Sequence, residues 1–517
     1  MKKWLAVLTA LAVAIAASVL VVRHRAAVQR AKDQRASAAV ARQFLAAWQA
    51  KQYDGMGPLT AADPDAGDSF RNLEDRLKAT SVTVTAGVLS PDARHLTYTA
   101  TLQLKDLGPL SWSSTVDTVK TSEGWRIAFS SGTVFPGLQN GEVLSRSQPL
   151  TSRGDLVDRH GAVIRTASPD LAANVLGRAT APLSGLERLY DAQLMGSSGG
   201  IVQITSRSSG EALREVKRFP AKAAAPVTTT LDLRLQAAAA AAVAKVAGQA
   251  AMVVLDAATG EVRAVVNQPV VGLPTAFQDE APGSTFKVIV AYAALLRGLS
   301  PSSTVACPEK AVFGGKQFRN DEPLPASMTF ATAFARSCNT AFLTLADGFP
   351  KGTVGKTAAV FGFDRGDLLP IAGHGGSVPP PTSTSEAYAD IIGQGRVEAS
   401  PLLLASMSAA VASGTWHQPH LVSGTSPSAP LVPAAAAALR GLMSGVVTSG
   451  TAAGAGLPPG TAGKTGTAQY GTTLPLKTHA WFTGFAGGLA FCVYVKDGAS
   501  GGRVAAPVAA AFLKAVV

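Results

Sequence analysis

The composition of this 517-residue chain sets broad limits on its class. Apolar residues make up 47% of it and charged residues only 15%, and 46 Lys and Arg against 34 Asp and Glu give a net charge of +12. A chain of this length and apolar content predicts several domains, at least one of them with a large core. The basic residues are scattered and form no basic run interleaved with aromatic residues, which argues against nucleic-acid binding.

An apolar stretch near the N terminus predicts a membrane anchor. Residues 4–22 carry no charge, while Lys2 and Lys3 precede them and Arg23 and Arg25 follow them. A stretch of this length can span a bilayer and exceeds the usual apolar core of a cleaved signal peptide, so we expect an uncleaved signal anchor. Basic residues lie on both sides, so charge counting leaves the orientation open.

The region after the anchor has the pattern of a small α+β domain. A polar stalk comes first, and residues 38–52 then place apolar side chains at helical spacing: Val40, Phe44, Leu45 and Trp48. Segments of alternating apolar residues follow, which predicts an antiparallel meander over residues 82–89, 95–104, 110–119 and 124–131. Because no cluster of His, Cys or carboxylates marks a site there, we expect a spacer or docking module.

A second small module is predicted before the main core. Residues 151–164 alternate like a hairpin that turns near His160 and Gly161. Residues 185–196 have the pattern of a helix, and the Pro-, Ala- and Lys-rich residues 219–227 predict a connector.

From Thr228 onward the pattern predicts one large α+β unit. A long helix over residues 231–246 precedes a hairpin over 251–267, and Ser400 and Pro401 begin a later helix that Gly414 ends. The chain closes with three strand-like segments and a helix, over residues 461–469, 479–487, 489–497 and 504–516.

Ser284 lies at a position that suits nucleophilic chemistry. It follows the turn signal Pro282-Gly283 and begins an apolar helical run whose first turn contains Lys287. Residues three apart share a helix face, so the amine can reach the hydroxyl and act as its base if burial lowers the amine pKa. A cap serine followed by a solvated lysine is the alternative interpretation of the same spacing.

Two later stretches favour the catalytic interpretation. Residues 337–339, Ser-Cys-Asn, begin 53 residues after Ser284, and residues 464–467, Lys-Thr-Gly-Thr, begin 180 residues after it. The first is predicted on a helix or a loop that breaks one, and the second on a strand. Each alone is typical of a polar loop or a turn, but their order with Ser284 resembles the signature of the penicillin-binding protein and serine β-lactamase superfamily.

This resemblance implies an α+β fold: a transpeptidase core with a five-stranded antiparallel sheet and a helical subdomain, preceded by a pedestal module and a small cone-shaped α+β domain. Residues 153–161 are similar to the motif that opens the pedestal of class B penicillin-binding proteins, where the role of Asp158 is structural. Residues 124–138 resemble the N-terminal domain of the methicillin-resistance type. The predicted divisions are an anchor with stalk, a cone-shaped domain, a pedestal and a transpeptidase domain: residues 1–35, 36–145, 146–227 and 228–517.

The resemblance also implies acyl transfer through a serine ester. Ser284 is expected to attack the carbonyl between two terminal D-alanines of a stem peptide, with Lys287 taking its proton. The backbone N–H groups of Ser284 and Thr467 would form the oxyanion hole. Residues 393–395, Gly-Gln-Gly, also resemble a family segment, and we expect a loop that shapes the cleft.

The remaining motif residues are expected to bind substrate or relay protons. Lys464 would place positive charge near the substrate carboxylate, and the Thr465 and Thr467 hydroxyls would bind that carboxylate. Gly466 would let the substrate lie against the strand as an added strand. Two further residues belong to the predicted catalytic set, Ser337 as a proton relay and Asn339 as an amide that holds the peptide backbone.

The expected partners follow from the same resemblance. They are peptidoglycan stem peptides and their lipid-linked precursor, β-lactam antibiotics bound covalently at Ser284, the membrane and a separate membrane glycan polymerase. No metal, organic cofactor or nucleic acid is implied. The chain would be a single-pass protein of the bacterial cytoplasmic membrane with its catalytic domain outside, because the chemistry requires it there.

Three alternatives stay open to different degrees. A class A β-lactamase needs a glutamate to activate water, and no Glu-x-x-Leu-Asn lies between Asn339 and Lys464. A carboxypeptidase differs only in that water, not an amine, accepts the acyl group. A β-lactam receptor or division scaffold would not need all five predicted catalytic residues.

The three cysteines, Cys307, Cys338 and Cys492, cannot form a disulfide framework. An odd count leaves at least one free thiol. We expect Cys338 to point into the packing without a chemical role, and whether any cysteines pair is not determined by the sequence.

Overall fold

A computed structural model describes most of the chain. The described residues are 2–147, 153–196, 199–221, 224–270 and 274–517. Thr151 and Ser152, where the predicted hairpin begins, and Lys222 and Ala223 of the predicted connector lie outside them. The chain divides into two compact units. The first comprises Met1–Arg153 with Met195–Ala224, and the second comprises Gly154–Leu194 with Ala225–Val517.

The first unit begins with one continuous helix, α1 (Lys2–Gln49). Its residues 10–22 are apolar and exposed, with Leu11 58% and Leu20 69% accessible, and the helix is long and apolar enough to cross a membrane. Its C-terminal turns bury Phe44 and Trp48 completely. The predicted anchor, stalk and core-facing helix are therefore one helix without a break.

The core of the first unit forms where α1 and α2 pack on an antiparallel meander. Trp48 packs on Phe70 with 4.4 Å between ring centroids, and its indole Nε1 donates to Glu74 Oε1 at 3.0 Å. Leu96, Tyr98, Ala100, Leu102 and Leu104 are buried on one face of β2, the alternation expected of a half-buried strand. The sheet order β1-β2-β3-β4 confirms the predicted meander. The elements are α2 (Ala66–Leu77), α3 (Ser131–Val134), β1 (Ala79–Leu89), β2 (His95–Leu104), β3 (Gly108–Thr121) and β4 (Gly124–Ile127).

A second sheet of this unit contains residues from both sides of the boundary predicted between the cone-shaped domain, residues 36–145, and the pedestal, residues 146–227. Its strands are β5 (Glu142–Ser147), β6 (Gly200–Ser206) and β7 (Ala212–Phe219), in that order. The stretch 146–227, predicted as one pedestal module, thus contributes to both compact units. The four-part division of the chain stays a prediction.

The second unit begins with a tight turn around Asp158. The Asp158 carboxylate accepts from the backbone N–H groups of His160 and Ala162, both at 2.9 Å, and Gly161 has a φ of +87°. Asp158 thus has structural contacts, in agreement with its predicted role. The helix predicted over 185–196 is two short helices that meet at Tyr190. Four short helices lie here, α4 (Ile164–Ala167), α5 (Pro169–Leu171), α6 (Gly185–Leu189) and α7 (Asp191–Met195).

A five-stranded antiparallel sheet organises the rest of the second unit, which confirms the predicted fold. Its strand order is β9-β8-β20-β19-β18, so β18 is an edge strand. Six of the seven residues of β8 are buried, which requires cover on both faces of the sheet. Its strands are β8 (Ala250–Asp256), β9 (Val262–Gln268), β18 (Ala462–Tyr470), β19 (Lys477–Ala486) and β20 (Leu489–Val495).

Helices and short hairpins complete this unit. Ser400 caps α14 by accepting from Leu403 N at 3.2 Å, and Gly414 ends that helix with a φ of +86°. The helices are α8 (Leu233–Val243), α9 (Lys287–Leu296), α10 (Phe330–Ala335), α11 (Asn339–Asp347), α12 (Thr353–Val360), α13 (Thr384–Ile391), α14 (Pro401–Ser413), α15 (Pro433–Thr448) and α16 (Ala506–Val516). The small strands are β10 (Thr304–Ala306), β11 (Lys310–Phe313), β12 (Lys316–Arg319), β13 (Ser327–Thr329), β14 (Asp367–Leu369), β15 (Ala372–His374), β16 (Thr415–His417) and β17 (Ser428–Pro430).

Truncating Trp48 should destabilise the first unit selectively. We expect Trp48→Ala to lower its free energy of unfolding by about 3–5 kcal/mol, because a fully buried indole leaves a cavity. Hydrogen exchange of the β2 amides in the detergent-solubilised chain measures this loss. Val88→Ala, at a side chain 77% exposed on β1, is the control and should change it by less than about 0.5 kcal/mol. Unchanged β2 protection in Trp48→Ala would contradict the packing described.

Candidate active site

Ser284 lies in a 3₁₀ turn, Gly283–Phe286, that leads directly into α9. The α-helix therefore begins at Lys287, three residues later than predicted. Ser284 is 9% exposed and Lys287 is completely buried. The backbone N–H of a residue in the first turn has no acceptor within the helix, so the Ser284 N–H is available to another group.

Glycines bring this turn against the edge strand β18. A Cβ on Gly466 would lie 2.7 Å from Pro282 O, and one on Gly283 would lie 2.5 Å from Thr467 O. Gly283 also has a φ of +53°, which disfavours other residues. The close backbone approach expected at Gly466 is thus made by the serine turn itself. Trp481 on β19 supports the same turn by donating from Nε1 to Ala281 O at 3.0 Å.

Two lysine amines meet at one serine hydroxyl. Lys287 Nζ lies 3.1 Å from Ser337 Oγ, and Lys464 Nζ lies 3.0 Å from the same oxygen. Lys287 Nζ also donates to Asn339 Oδ1 at 2.6 Å and to Ser337 O at 2.7 Å. Segments separated by 50 and 127 residues thus converge on one network. In the described structure Lys287 bonds to Ser337 and Asn339, and its predicted contact with the Ser284 hydroxyl is not formed.

The turn that carries Ser337 and Asn339 is tightly held. Ser337 has a φ of +56°, unusual for a residue with a side chain, and connects α10 to α11. Asn339 Nδ2 donates to Arg319 O at 3.0 Å. Cys338 is buried, as expected, but it also forms a disulfide with Cys307, a pairing that the sequence left undetermined. Cys492 is the free and buried thiol.

Burial sets the electrostatics of the two lysines. Desolvation lowers the pKa of Lys287 to about 7, and the nearby charge of Asp321 opposes this shift. Desolvation and the charge of Lys287 also lower the pKa of Lys464, again against Asp321. Two positive charges on either side of one hydroxyl repel each other in a dry site, so the state in which both lysines are charged is disfavoured.

A cleft of about 580 Å³ opens above this network. Ser284, Asn339 and Thr467 line it, while Lys287 and Lys464 lie buried beneath it. The other lining residues come from the β11–β12 hairpin, α13, β18 and neighbouring loops: Lys316, Gln317, Phe318, Arg319, Asp321, Ser385, Glu386, Ala389, Ile392, Gln394, Gly395, Gln469 and Leu476. Except for Gln394 and Gly395, the sequence did not mark these residues, because they carry no motif.

The edge strand presents one predicted donor to this cleft. Thr467 O accepts from Gln394 Nε2 at 3.4 Å, so it points away from β19. In a strand, the N–H and C=O of one residue point to the same side, so the Thr467 N–H also faces the open edge. Thr465 is buried and its hydroxyl bonds to the Thr451 hydroxyl at 2.6 Å, so its predicted role at the substrate carboxylate stays a prediction.

Comparisons with known proteins identify the family. Residues 250–514 match the penicillin-binding protein transpeptidase domain, and residues 36–142 match the NTF2-like N-terminal transpeptidase domain. The peptidoglycan D,D-transpeptidase PbpA of Mycobacterium tuberculosis is 32% identical over 273 residues, covering 46% of this chain and 55% of that protein. The chain thus spans about half the length of the curated relatives it matches.

Solved structures share the fold. The ceftriaxone acyl-enzyme complex of penicillin-binding protein A from M. tuberculosis has a TM-score of 0.59 and 25% identity, covering 71% of this chain and 99% of that one. A chain from a peptidoglycan synthase complex has a TM-score of 0.62 and 24% identity, covering 73% and 92%. Since the transpeptidase match alone covers more than half of the sequence, the chain belongs to the penicillin-binding protein transpeptidase family, as a class B member with an NTF2-like N-terminal domain of the methicillin-resistance type.

Proposed function

We propose that this protein is a serine D,D-transpeptidase that crosslinks peptidoglycan stem peptides and is acylated by β-lactams. The observation that carries the proposal is the hydrogen-bonded set Lys287–Ser337–Lys464 with Asn339, buried beside a cleft that Ser284 lines. The relative named PbpA is a peptidoglycan D,D-transpeptidase, and its likeness to this chain supports the same activity.

Acylation begins at Ser284. Its Oγ attacks the carbonyl carbon between the two terminal D-alanines, and its proton passes to Lys287 Nζ. Two N–H bonds of a neutral Lys287 amine are directed to Ser337 O and Asn339 Oδ1, which leaves its lone pair as the acceptor. Burial makes that neutral form accessible near pH 7, since it lowers the pKa of Lys287 to about 7.

Ser337 suits the relay of this proton to the leaving group. A hydroxyl oxygen can accept two hydrogen bonds, so Ser337 Oγ can accept from both lysine amines and keep its own hydrogen for a third group. Once Lys287 has taken the Ser284 proton, its ammonium group can pass a proton to Ser337 Oγ while Ser337 gives its own hydrogen to the departing D-alanine nitrogen. The C–N bond breaks as that nitrogen gains the proton, and an ester on Ser284 remains.

Backbone donors stabilise the oxyanion that forms on the way. The Ser284 N–H starts a helical turn, and the Thr467 N–H faces the edge of β18. Losing one such donor typically costs about 10²–10³ in rate, so the two donors must be closely positioned. Glycine contacts between the serine turn and β18 maintain their spacing.

Substrate binding is assigned to groups around the same edge. Asn339 Nδ2 has two hydrogens, one directed to Arg319 O, and the second can hold the peptide backbone. Lys464 and the Thr467 hydroxyl supply charge and a hydroxyl for the terminal carboxylate. The Thr465 hydroxyl is already bonded to Thr451. Thr465 and Gly466 are therefore assigned to substrate binding indirectly, because they position the edge strand β18.

The described structure supports a location on the outer side of the bacterial cytoplasmic membrane. The apolar part of α1 can span a bilayer once. The Cys307–Cys338 disulfide belongs to an oxidising compartment, because cytosolic thiols are kept reduced. We therefore place the catalytic domain outside, where lipid-linked precursor is available.

A separate membrane glycan polymerase is the proposed partner. One structure of similar fold comes from a peptidoglycan synthase complex that coordinates polymerization and crosslinking. Extension of glycan strands by the purified chain alone would contradict this assignment.

Ser284→Ala should abolish covalent labelling by penicillin. Intact-mass spectrometry should show one adduct on the wild type and none on the variant, because the alanine has no nucleophile. Lys287→Met should slow acylation by about 10²–10⁴-fold, the usual contribution of a general base. Ser302→Ala, at an exposed serine after α9, is the matched control and should label normally. Rapid turnover of the adduct would instead indicate a β-lactamase.

The acylation rate should rise with pH and level off above about pH 7. Below that pH Lys287 is cationic and cannot accept a proton, because burial lowers its pKa only to about 7. On the rising limb the rate should increase about ten-fold per pH unit. Stopped-flow acylation by a fluorescent penicillin measures the profile, with thermal unfolding at each pH as the control for folding. A flat profile between about pH 5 and pH 9 would exclude Lys287 as the base.

The disulfide should be measurable in the exported protein. Unfolded without reductant, the chain should show one reactive thiol, Cys492, and after reduction three. Replacing both Cys307 and Cys338 with Ser should lower the free energy of unfolding by about 3–4 kcal/mol, because the bridge closes a loop of 31 residues. Three thiols in unreduced protein purified from membranes would argue against an oxidising location.

A further inference from the structure

The cleft has an uneven distribution of charged side chains. Lys316 and Arg319 line it on the β12 side, and among its described lining residues two carry carboxylates, Asp321 and Glu386. The donor stem peptide ends in a carboxylate, which the basic groups can attract. The acceptor of a transpeptidase is a primary amine, which is an ammonium ion before it reacts, and the same basic groups repel it.

The two carboxylates differ in their surroundings. Glu386 is engaged by the Arg396 guanidinium and the Thr382 hydroxyl, within hydrogen-bonding distance of both. Asp321 is exposed, and in the described part of the chain its carboxylate forms no ion pair or hydrogen bond. It is therefore the carboxylate in this cleft that can accept a cationic ligand.

Asp321 is also held close to the reacting groups. The adjacent Asn320 is buried, and its Oδ1 accepts from the backbone N–H of Thr340 at 3.1 Å. This bond fixes the main chain before Asp321 against the start of α11, where Asn339 lies. The charge of Asp321 opposes the lowering of the pKa of Lys287 and of Lys464, so its electric field reaches the amines below Ser284.

We propose that Asp321 binds the ammonium group of the acceptor and so directs the acyl group to an amine instead of water. This inference rests on the proposed transpeptidase function. It assigns the second substrate, an aliphatic primary amine bound as a cation, to the side of the cleft between the β11–β12 hairpin and the Ser337–Asn339 turn. Asp321 is thus a substrate-binding residue for the second half-reaction.

The second half-reaction balances with this residue in place. The bound ammonium ion first loses one proton to solvent beside the Asp321 carboxylate and becomes a neutral amine. Its nitrogen attacks the ester carbonyl, the new C–N bond forms and the bond from that carbon to Ser284 Oγ breaks. A second proton passes from nitrogen through Lys287 to Ser284 Oγ, which restores the hydroxyl and leaves an amide N–H on the product.

The partition of one acyl-enzyme between nucleophiles tests the proposal. A D-alanyl thioester donor acylates the full-length chain in detergent, and D-lysine, hydroxylamine and water compete for the acyl group. D-lysine carries ammonium groups at neutral pH, whereas hydroxylamine is uncharged. Because all products arise from the same intermediate, their ratio is independent of how fast that intermediate forms.

We expect Asp321→Asn to lower the ratio of D-lysine adduct to hydrolysis about five- to ten-fold, the effect of losing one charge-assisted contact. The ratio for hydroxylamine should change less than about two-fold. Asp321→Glu, which keeps the carboxylate, should retain most of the transfer to D-lysine. Glu322→Gln is the matched control, because its carboxylate neighbours Asp321 in sequence but pairs with Arg336 at 2.7 Å.

Several outcomes would overturn the inference. In Asp321→Asn, the ratio of D-lysine adduct to hydrolysis could stay unchanged, or it could fall as much as the ratio for hydroxylamine. The wild type could fail to transfer the acyl group to D-lysine at all. Finally, Asp321→Asn could lose the ability to form an acyl-enzyme. Loss of the acyl-enzyme in Asp321→Asn would assign Asp321 to the acylation of Ser284. Failure of the wild type to acylate would instead contradict the proposed function itself.

Discussion

The burial of two lysine amines on either side of one serine hydroxyl is the constraint on which the site depends. Lys287 and Lys464 are both completely inaccessible to solvent, and the Nζ atom of each lies within hydrogen-bonding distance of Ser337 Oγ. Removing two ammonium groups from water costs several kcal/mol each unless a proton is lost or a counter-charge is near. Burial accordingly lowers the pKa of both lysines, and the charge of Asp321 opposes that shift.

That constraint explains why the surrounding backbone is so closely fitted. Asn339 Oδ1 and Ser337 O must both face Lys287, so the turn between α10 and α11 has a left-handed residue at Ser337. Two supports hold that turn, the Cys307–Cys338 disulfide and the side chain of Asn320. On the other side, Gly283 and Gly466 allow the serine turn to touch the edge strand. The catalytic roles we propose require all of these contacts at once.

The edge position of β18 connects fold to function. A sheet edge normally exposes unpaired backbone groups that invite aggregation. Here the serine turn and Gln394 cover part of the edge, and Thr467 presents the rest to a cleft. Backbone groups in such a position can stabilise an oxyanion and pair with an extended peptide without any dedicated side chain. Function at this edge therefore depends on main-chain geometry more than on residue type.

The sequence by itself determined the features that arise between near neighbours. Alternating residues specified the meander of the first unit, Ser400 and Gly414 specified the ends of α14, and the order of three short motifs specified the family and its sheet. It did not determine that anchor and core helix are one helix, since a stalk of polar residues can be helical or loose. Only the tertiary structure paired Cys307 with Cys338, turned the Thr465 hydroxyl toward Thr451 and placed Asp321 in the cleft that Ser284 lines. Such contacts join residues from distant segments of the chain. They depend on how whole helices and strands pack together, and no local periodicity or propensity of the sequence encodes that packing.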